Sequence, residues 1–563
     1  MKKEIFKRNR LLLLLLPLFF TVQCSKSGSD PQPVPPVVLP LNNTVVKFDN
    51  TAAVSSIVNY NVRPVVSIKL SFNNALNRSS VASSVSVNEN GSTAVPVNYA
   101  YENHDSTLVV TATSPLKNLT RYTVKATATL ESVATGKLSP AINIQFQTQI
   151  DSTNKFPLIS DDALLTLVQQ QTFRYFWDFA HPVSGLARER NTSGETVTTG
   201  GSGFGIMAIP VAINRSFITR AQGLARMQTI VGFLKNTAQK FHGAFPHWLN
   251  GTTGAVIPFS VKDDGADLVE TSYLMQGLIC ARQYFNGADA TETTLRNDIN
   301  SIFNGVEWSW FRQGAQNVLY WHWSPLYNWD MNVPIRGWNE CLITYVMASS
   351  STTYGIPRIV YDNGWAQNGA IITNGNYYGL PLPLGGAYGG PLFFAHYSFL
   401  GIDPNQLNDP YANYWTQNKN HALINYKYCL ANPQNNFGYS DQCWGLTASD
   451  IQNGYTASSP TNDVGTIAPT AALSSFPYTP TESMNALKFF YYKLGDKLWS
   501  NYGFVDAFSL RDIWFASSTL AIDQGPIIVM IENYRTGLLW NLFTSAPEIK
   551  DGMRNLGFTA PYL

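Results

Sequence analysis

Between residues 41 and 149 the chain alternates apolar and polar positions in short runs. Asn-Gly, Pro and Asn breaks separate the runs, which cover residues 65–72, 95–101, 107–112, 122–130 and 142–148. Strict alternation is typical of strands with one buried face, because successive side chains point to opposite sides of a sheet. About seven β-branched strands in this length predict an all-β antiparallel sandwich over residues 41–150.

Beyond residue 150 the apolar spacing changes to three or four residues, which predicts helices. Residues 161–180 show this spacing, with Asp161 and Asp162 placed to cap the first turn. Stretches that are apolar on all sides predict buried helices, and they begin near Ser202, Asp267, Trp338, Gly390, Asp463 and Gln524. One-sided stretches between them predict outer helices at residues 219–241, 291–312, 408–431 and 481–494.

A long loop precedes each predicted buried helix. The loops span residues 181–201, 242–266, 313–337, 366–389, 432–462 and 495–523. Loops of this length are uncommon inside a compact domain unless they carry function. If the buried helices run parallel, the loops and the helix N-termini meet at one end. We therefore predict a mainly α fold, an (α/α)6 barrel over residues 155–563 with its site at that end. An irregular α-domain is the alternative.

The N-terminus has the features of an export signal. Basic residues precede the apolar run Leu11–Phe20, which is too short to span a membrane and ends just before Cys24. This pattern predicts a lipoprotein signal peptide over residues 1–24 with Cys24 as the lipidated residue; a plain secretory signal is the alternative. Residues 25–40 are rich in Ser, Gly and Pro and predict a flexible linker. We expect a cell-envelope protein, held to the membrane by the lipid alone, on the periplasmic side or at the cell surface.

Composition narrows the class of partner. Lys and Arg total 38 against 37 Asp and Glu, so no basic surplus favours nucleic acid. Only 13% of residues are charged, whereas 13% are aromatic, which suits a neutral glycan but also a large aromatic core. The four cysteines after Cys24 lack metal-binding spacing, and we expect buried free thiols. We predict no metal, no cofactor and a monomer.

Acidic residues at the predicted loop-bearing end are the candidates for chemistry. Sugar hydrolysis needs a proton donor for the leaving oxygen and a second carboxylate. Asp267 and Glu270 share one face of a helix by their i, i+3 spacing, and Asp263 extends that face into the loop. Glu340 and Asp523 each open another predicted buried helix. Helix capping is the alternative explanation for each acid, because acids stabilise helix N-termini. The argument for chemistry is that three separate helices bring acids to the same end.

Aromatic residues beside these acids are candidates for sugar subsites. Indole rings have flat apolar faces and a polar N–H, which fits them to pyranose rings. The segment before Glu340 contains the candidates Trp321, Trp323, Trp329, Arg336 and Trp338, and other loops add His247 and Trp444. Two further tryptophans, Trp308 and Trp310, are expected in the core.

Long segments of the chain resemble a known family. "FRYFWDFAHPVSGLARERN", "DDGADLVETSYLMQGL", "RGWNECLITYVMA" and "AIDQGPIIVMIENYRTGLLW" are similar to the glucoamylase-like domain of glycoside hydrolase family 144, the β-1,2-glucan hydrolases. The resemblance implies an (α/α)6 barrel that cleaves linear β-1,2-glucan or its oligosaccharides with inversion. The family's acids correspond to Asp267, Glu270 and Glu340, and Asp523 lies in the matching "DQGP" segment. The strand segments "SFNNALN" and "FQT" resemble bacterial Ig-like domains, which are usually spacers.

Together these lines predict Glu340 as the general acid and Asp523 as the first choice for the base, acting directly or through water. Asp267 and Glu270 are alternative bases, or they bind sugar hydroxyls and raise the pKa of the acid. The alternatives are another glycan-active (α/α)6 enzyme (glucoamylase-like, phosphorylase or lyase) and a non-catalytic glycan-binding lipoprotein. The choice between endo action and exo action with release of sophorose stays open.

Overall fold

A computed structural model describes residues 38–563. The predicted signal peptide, Cys24 and most of the predicted linker lie outside the described residues. Ten strands come first: β1 Asn43–Phe48, β2 Thr51–Ala52, β3 Asn59–Val62, β4 Ile68–Phe72, β5 Val85–Glu89, β6 Thr93–Val95, β7 Val97–Glu102, β8 Thr107–Ala112, β9 Arg121–Ala126 and β10 Ile142–Thr148. One short helix, α1 (Arg78–Ser84), connects β4 to β5.

These strands form two five-stranded sheets around one apolar core. The strand orders are β2-β1-β4-β8-β7 and β3-β10-β9-β5-β6. All pairs within the two sheets are antiparallel except β3 with β10. Leu70, Val110, Val124 and Phe146 fill the core. The predicted all-β region is confirmed, and β2 and β6 are too short to show an alternating pattern in the sequence.

The rest of the described chain is mainly helical. The helices are α2 Asp161–Trp177, α3 Thr199–Asn214, α4 Arg220–Asn236, α5 Leu268–Tyr284, α6 Ala290–Asn304, α7 Leu342–Ser350, α8 Arg358–Val360, α9 Tyr414–Ala431, α10 Pro469–Leu473, α11 Pro480–Lys488, α12 Gly495–Leu498, α13 Ala521–Thr536, α14 Leu538–Ser545 and α15 Pro547–Leu556.

Short strands occur in the loops between these helices. They are β11 Thr196–Thr198, β12 Trp248–Asn250, β13 Val256–Ile257, β14 Ala266–Asp267, β15 His322–Trp323, β16 Ile372–Tyr377, β17 Leu380–Leu384, β18 Ala448–Ile451, β19 Gly454–Ala457, β20 Trp499–Ser500, β21 Gly503–Phe504, β22 Phe508–Ser509 and β23 Trp514–Phe515. Several of the loops predicted to carry the site are therefore built around hairpins.

Three helices that are apolar on all sides form the centre of the helical region. Nearly every residue of α3, α5 and α13 is buried, as the pattern predicted. Helices α3 and α5 are in very close contact, because a Cβ on Gly277 would lie 2.1 Å from the carbonyl oxygen of Gly203. By contrast, α4 and α6 expose one face, and Arg220 of α4 binds Glu292 of α6 with a nitrogen–oxygen distance of 2.9 Å.

Two of the predicted buried helices are not regular helices. Near Gly390 the chain forms two 3₁₀ turns, Leu392–Ala395 and Ser398–Leu400. Gly390 has a positive φ of 85°, which is not a right-handed helical conformation, so the predicted α-helix does not begin at that residue. The helix predicted near Asp463 starts only at Pro469 and has five residues. Asp463 instead accepts hydrogen bonds from tyrosine and asparagine side chains of the preceding loop.

The cysteines of residues 38–563 are Cys280, Cys341, Cys429 and Cys443, all buried and free, as predicted. Within the same residues no helix combines the length and the apolar character that crossing a membrane requires.

The contact between α3 and α5 is expected to be sensitive to one methyl group. A Cβ on Gly203 would lie 2.2 Å from the carbonyl oxygen of Tyr273, so Gly203→Ala should lower the free energy of unfolding by about 3 kcal/mol. Gly232→Ala is the matched control, because its Cβ meets nothing within 4 Å and alanine favours helix. Equal stability of the two variants in urea denaturation would contradict this account.

Candidate active site

The predicted acids lie at one end of the helical region, where α3, α5, α7 and α13 begin; we call it the site end. The backbone N–H of Gly200, in the first turn of α3, donates to Glu270 of α5 at 2.7 Å. On its other side this turn touches α13, since a Cβ on Gly201 would lie 2.8 Å from the Cβ of Ala521. Glu340 lies two positions before α7.

Asp267 makes hydrogen bonds to several residues of the site end. One carboxylate oxygen caps α5 by accepting from the backbone N–H groups of Val269 and Glu270 at 3.0 and 2.9 Å. The other oxygen accepts from Nδ1 of His247 at 3.0 Å. Asp267 also pairs with His322 across β14 and β15. The side chain is fully buried, and its hydrogen bonds join His247 to the start of α5.

Two histidines in contact with Asp267 differ in charge. Burial alone would lower the pKa of His247, but the charges of Glu270, Asp267 and Asp263 raise it to about 9. Burial lowers the pKa of His322 below its usual value, although Asp267 opposes this. The ring of His322 lies 3.6 Å from the carboxylate of Asp263. At neutral pH the site therefore has one imidazolium and one neutral imidazole.

Asp263 has an oxygen left for a ligand. Its side chain is buried, and Oδ1 contacts no hydrogen-bond donor among residues 38–563. Burial and the nearby charge of Asp267 raise the pKa of Asp263 to about 7. A buried oxygen without a partner is costly unless a bound molecule satisfies it. A sugar hydroxyl supplies both a donor and an acceptor to such a group.

Three side chains here also have the spacing of a metal site. One atom each of His247, Asp263 and Asp267 lies within 4.8 Å of the others. A metal ion would have to displace the proton from His247, because only neutral imidazole binds a metal. The expected lack of a metal stays a prediction.

Glu340 has the properties of a proton donor. Burial, with the charges of Glu270 and Asp267 adding to it, raises the pKa of its carboxyl group to about 7. The backbone around it is fixed, because its carbonyl oxygen accepts from the hydroxyl of Ser398 and Asn339 accepts from the backbone N–H of Cys341. Glu340 is thus protonated in a large fraction of molecules at neutral pH, as an acid catalyst requires.

Asp523 belongs to a second group of acids. It is buried in the first turn of α13. Burial and the neighbouring Asp506 raise its pKa well above the ordinary value, and burial raises the pKa of Asp506 to about 6. Asp506 accepts from the backbone N–H of Asp450 at 2.6 Å, and Asp450 binds Arg190 at 3.0 Å. Two buried carboxyls in contact share one proton, because both cannot ionise at once.

Tyr397 connects the two groups of acids. Its side chain is buried, and burial together with the carboxyls of Asp523 and Glu340 raises the pKa of its hydroxyl. The sequence did not point to this residue. It also did not point to His322, Asp506 and Asp450. His322 lies between two tryptophans, which were the residues that suggested a sugar subsite. Tyr397 and Asp506 lie in irregular segments and Asp450 lies in the short strand β18, so no periodic pattern marks them.

The residues predicted as aromatic subsites differ in their burial and in the side chains that they contact. Trp321 is half-buried and stacks on His322 with ring centres 5.5 Å apart, so it lies beside the acids. Trp323 and Trp329 pack against Trp310, with ring centres 5.4 and 4.7 Å apart. They form an aromatic layer with part of its surface exposed, and Trp310 belongs to this layer rather than to the full core that was expected.

Trp444 is not a subsite, and this prediction is wrong. Its ring is fully buried, and the indole N–H donates to the carbonyl of Glu482 at 3.2 Å. Trp308 is fully buried, as expected, and Trp338 is nearly so. Arg336 is exposed, and its side chain makes no hydrogen bond to the described residues that would fix it.

Phe259 is a further candidate that the sequence did not point to. Its ring stacks on His247 with centres 4.2 Å apart, and half of the side chain is exposed. An exposed aromatic face above a protonated imidazole provides a platform at the edge of the site.

Comparisons with known proteins agree with this arrangement. Residues 332–547 match the sequence model of the family described as "Putative glucoamylase", and residues 42–148 match a bacterial Ig-like domain. An exo-β-1,2-glucooligosaccharide sophorohydrolase (non-reducing end) from Parabacteroides distasonis is 47% identical over 439 residues, which are 74% of this chain and 60% of that protein. The chain thus matches about three fifths of that relative's length.

Solved structures extend the likeness to three dimensions. The endo-β-1,2-glucanase from Chitinophaga pinensis, in complex with sophorotriose and glucose, is 52% identical with a TM-score of 0.71, covering 72% of this chain and 100% of that one. A β-1,2-glucanase from Parabacteroides distasonis is 38% identical with a TM-score of 0.69, covering 93% of this chain and 74% of that one. The second match therefore includes most of the β-sandwich.

The charge on His247 predicts a pH-dependent contribution to stability. Its folded-state pKa of about 9 lies above the reference value of 6.5. The contribution is therefore fully present below pH 6.5 and is lost as the pH rises through 9. The difference in free energy of unfolding between the wild type and His247→Gln should shrink by about 2 kcal/mol from pH 7 to pH 10. Chemical denaturation at both pH values measures it, and a constant difference would refute the charge assignment.

Proposed function

Since the chain belongs to the glucoamylase-like β-1,2-glucan hydrolases of glycoside hydrolase family 144, we propose that it hydrolyses β-1,2-glucan or its oligosaccharides with inversion. The observation that carries the proposal is the half-buried Glu340, whose carboxyl has a pKa raised to about 7, at the same end as Asp263 and Asp523. Glycoside hydrolysis requires a carboxyl that donates a proton and a second carboxylate, and the family resemblance implies inversion.

The proposal includes an (α/α)6 arrangement of the helical region. Helices α3, α5, α7, α10 and α13, with the 3₁₀ turns of residues 392–400 in the remaining place, would form the inner ring. Its support is the burial of α3, α5 and α13 on all sides and the start of these helices at the site end. The irregular fourth member follows from the positive φ of Gly390.

In the proposed reaction Glu340 acts as general acid. Its O–H protonates the glycosidic oxygen while the bond from that oxygen to the anomeric carbon breaks. A water molecule attacks the carbon from the opposite face and loses a proton to the carboxyl pair Asp506–Asp523. Because Asp523 is only 2% exposed, a second water relays that proton. The pair accepts it because it carries one negative charge.

The other polar groups bind the sugar and adjust the acid. The imidazolium of His247 donates to a sugar hydroxyl, and Asp263 accepts from one. Burial keeps Glu340 protonated, and the negative charges of Glu270 and Asp267 add to this effect, because both disfavour its ionisation. This assignment makes Asp267 and Glu270 positioning residues.

Incubation with linear β-1,2-glucan tests the activity. Wild-type protein should release shorter β-1,2-linked glucans, and NMR of the first-formed reducing ends should show the α-anomer. The length of the products distinguishes exo from endo cleavage. Retention of the β-anomer would reject inversion. A need for added phosphate would indicate a phosphorylase, and unsaturated products would indicate a lyase. Binding without cleavage would indicate a glycan-binding protein.

The same assay with Glu340→Gln tests the acid. The variant should fold normally, and its kcat should fall about 1,000-fold or more, because glutamine cannot donate a proton to the leaving oxygen. Wild-type kcat/KM should decline as the pH rises above about 7, where Glu340 loses its proton. Near-normal turnover of the variant would remove Glu340 from this role.

We also propose that the protein is a monomeric lipoprotein of the cell envelope. The support is the basic segment, the short apolar run and Cys24 in the sequence. On expression in a Gram-negative host, the wild type should fractionate with membranes and Cys24→Ser should be released in soluble form. Soluble wild-type protein would contradict the anchor.

A further inference from the structure

The β-sandwich contacts the helical region at the tip of one hairpin. This hairpin consists of β22, β23 and the tip residues 510–513 between them. The side-chain amide of Gln147, on β10, donates to the carbonyl oxygen of Leu510 at 2.8 Å. The guanidinium of Arg121, on β9, donates to the carbonyl oxygen of Arg511 at 2.8 Å. Both donors thus bind backbone atoms, which fixes the path of the chain.

The two donors hold one another in place. Arg121 donates to the side-chain oxygen of Gln147 from two nitrogens, at 2.8 and 3.2 Å. Gln147 is completely buried, so its amide has no water to replace the carbonyl of Leu510. A buried donor that loses its acceptor is costly. The contact between the sandwich and the hairpin is therefore specific.

Aromatic packing extends the same contact. Tyr60, on β3, stacks on Phe437 of the helical region with ring centres 4.9 Å apart and planes 10° apart. The guanidinium of Arg121 lies 5.7 Å from the centre of the Tyr60 ring. Because β3, β10 and β9 are neighbours in one sheet, the contact comes from a continuous face of the sandwich.

The base of this hairpin carries Asp506. The backbone N–H of Asp506 donates to the carbonyl of Ser518 at 3.0 Å, which closes the base of the hairpin. Asp450 links the two ends, because its N–H donates to Asp506 and its carboxylate accepts from the hydroxyl of Ser518. Only three residues separate Asp506 from Leu510. A displacement of the tip would therefore reach Asp506 through only three residues of the same hairpin.

The hairpin tip is strained. Ile513 has a positive φ of 53°, a backbone conformation that β-branched residues strongly disfavour. Such a conformation persists only when surrounding contacts impose it. Within the helical region, Arg511 provides two of these contacts, to Asn436 and to the carbonyl of Val464. Ser509 and Asp512 form hydrogen bonds to each other within the turn, and the sandwich adds contacts at Leu510 and Arg511.

We propose that the sandwich positions the catalytic carboxyl pair, with Arg121 and Gln147 as positioning residues that act through the hairpin on Asp506. The proposal rests on the proposed function for its effect on turnover. The order of the hairpin is a separate consequence, which exists whatever the substrate is. The sandwich is then a working part of the site and not only a spacer.

Three variants of the full-length protein test the proposal. Gln147→Glu has almost the same shape and can still bind Arg121, but it presents an oxygen in place of a donor to the carbonyl of Leu510. Arg121→Ala removes the second donor. Arg78→Ala is the matched control, because Arg78 binds Asp105 within the sandwich at 2.8 Å and is largely exposed.

Hydrogen exchange and steady-state kinetics give the readouts. In both test variants the backbone amides of residues 506–518 should exchange about tenfold faster, while those of β4 stay protected, which shows that the sandwich remains folded. The kcat on β-1,2-glucan should fall about fivefold or more with KM within about twofold, because the shift affects proton transfer and not sugar binding. The Arg78→Ala variant should match the wild type in both measurements.

Unchanged hairpin exchange in Gln147→Glu, with the sandwich folded, would overturn the proposal. Faster exchange with unchanged kcat would also overturn it, since the hairpin would then be held without effect on the site. If the wild type itself does not cleave β-1,2-glucan, the proposed function fails, whereas the exchange data still decide whether the sandwich orders the hairpin.

Discussion

The hydrogen bond between His247 and Asp267 is the interaction on which the rest of the site depends. It brings a positive charge to a place where Asp263, Asp267 and Glu270 are all buried. Without that charge, mutual repulsion and burial would drive these carboxyls to bind protons. With it, Asp267 stays ionised and caps α5, and enough negative charge remains to keep the proton on Glu340. The His247–Asp267 hydrogen bond thus affects the start of α5, the binding of the sugar and the pKa of Glu340.

Close helix packing makes this concentration of charge possible. Gly200 and Gly203 allow the first turns of α3 to lie directly against α5, so that a backbone N–H reaches Glu270. Any side chain at Gly200 would occupy the space of that carboxylate, since a Cβ there would lie 2.6 Å from its oxygen. Function and stability therefore require the same glycines. This explains why a glycine-rich turn opens a helix that is otherwise apolar throughout.

The spacing of apolar residues predicted the helices and strands better than it predicted which residues contact each other in the site. Helices α3, α5 and α13 are apolar on all sides, and this predicted their burial correctly, because a helix buried on all sides needs apolar residues at nearly every position. The turns at 392–400 were missed because Gly390 and Pro391 override the apolar pattern. Trp444 was misplaced because the sequence shows that an indole is near a loop but not which way it points. Asp506 could not be found, since it lies in a loop while its neighbours Asp450 and Asp523 lie in β18 and in the first turn of α13.

The short connection between the two parts of the chain has a further consequence. Strand β10 ends at Thr148 and α2 begins at Asp161, so about a dozen residues join them. Lys155 anchors this segment by donating its backbone N–H to the carbonyl of Tyr492 at 2.7 Å. A tether of this length gives the sandwich an effective concentration near the hairpin that is on the order of millimolar. The sandwich is then kept in place by the hydrogen bonds of Arg121 and Gln147, the Tyr60–Phe437 ring pair and the packing of Leu119 into the helical core.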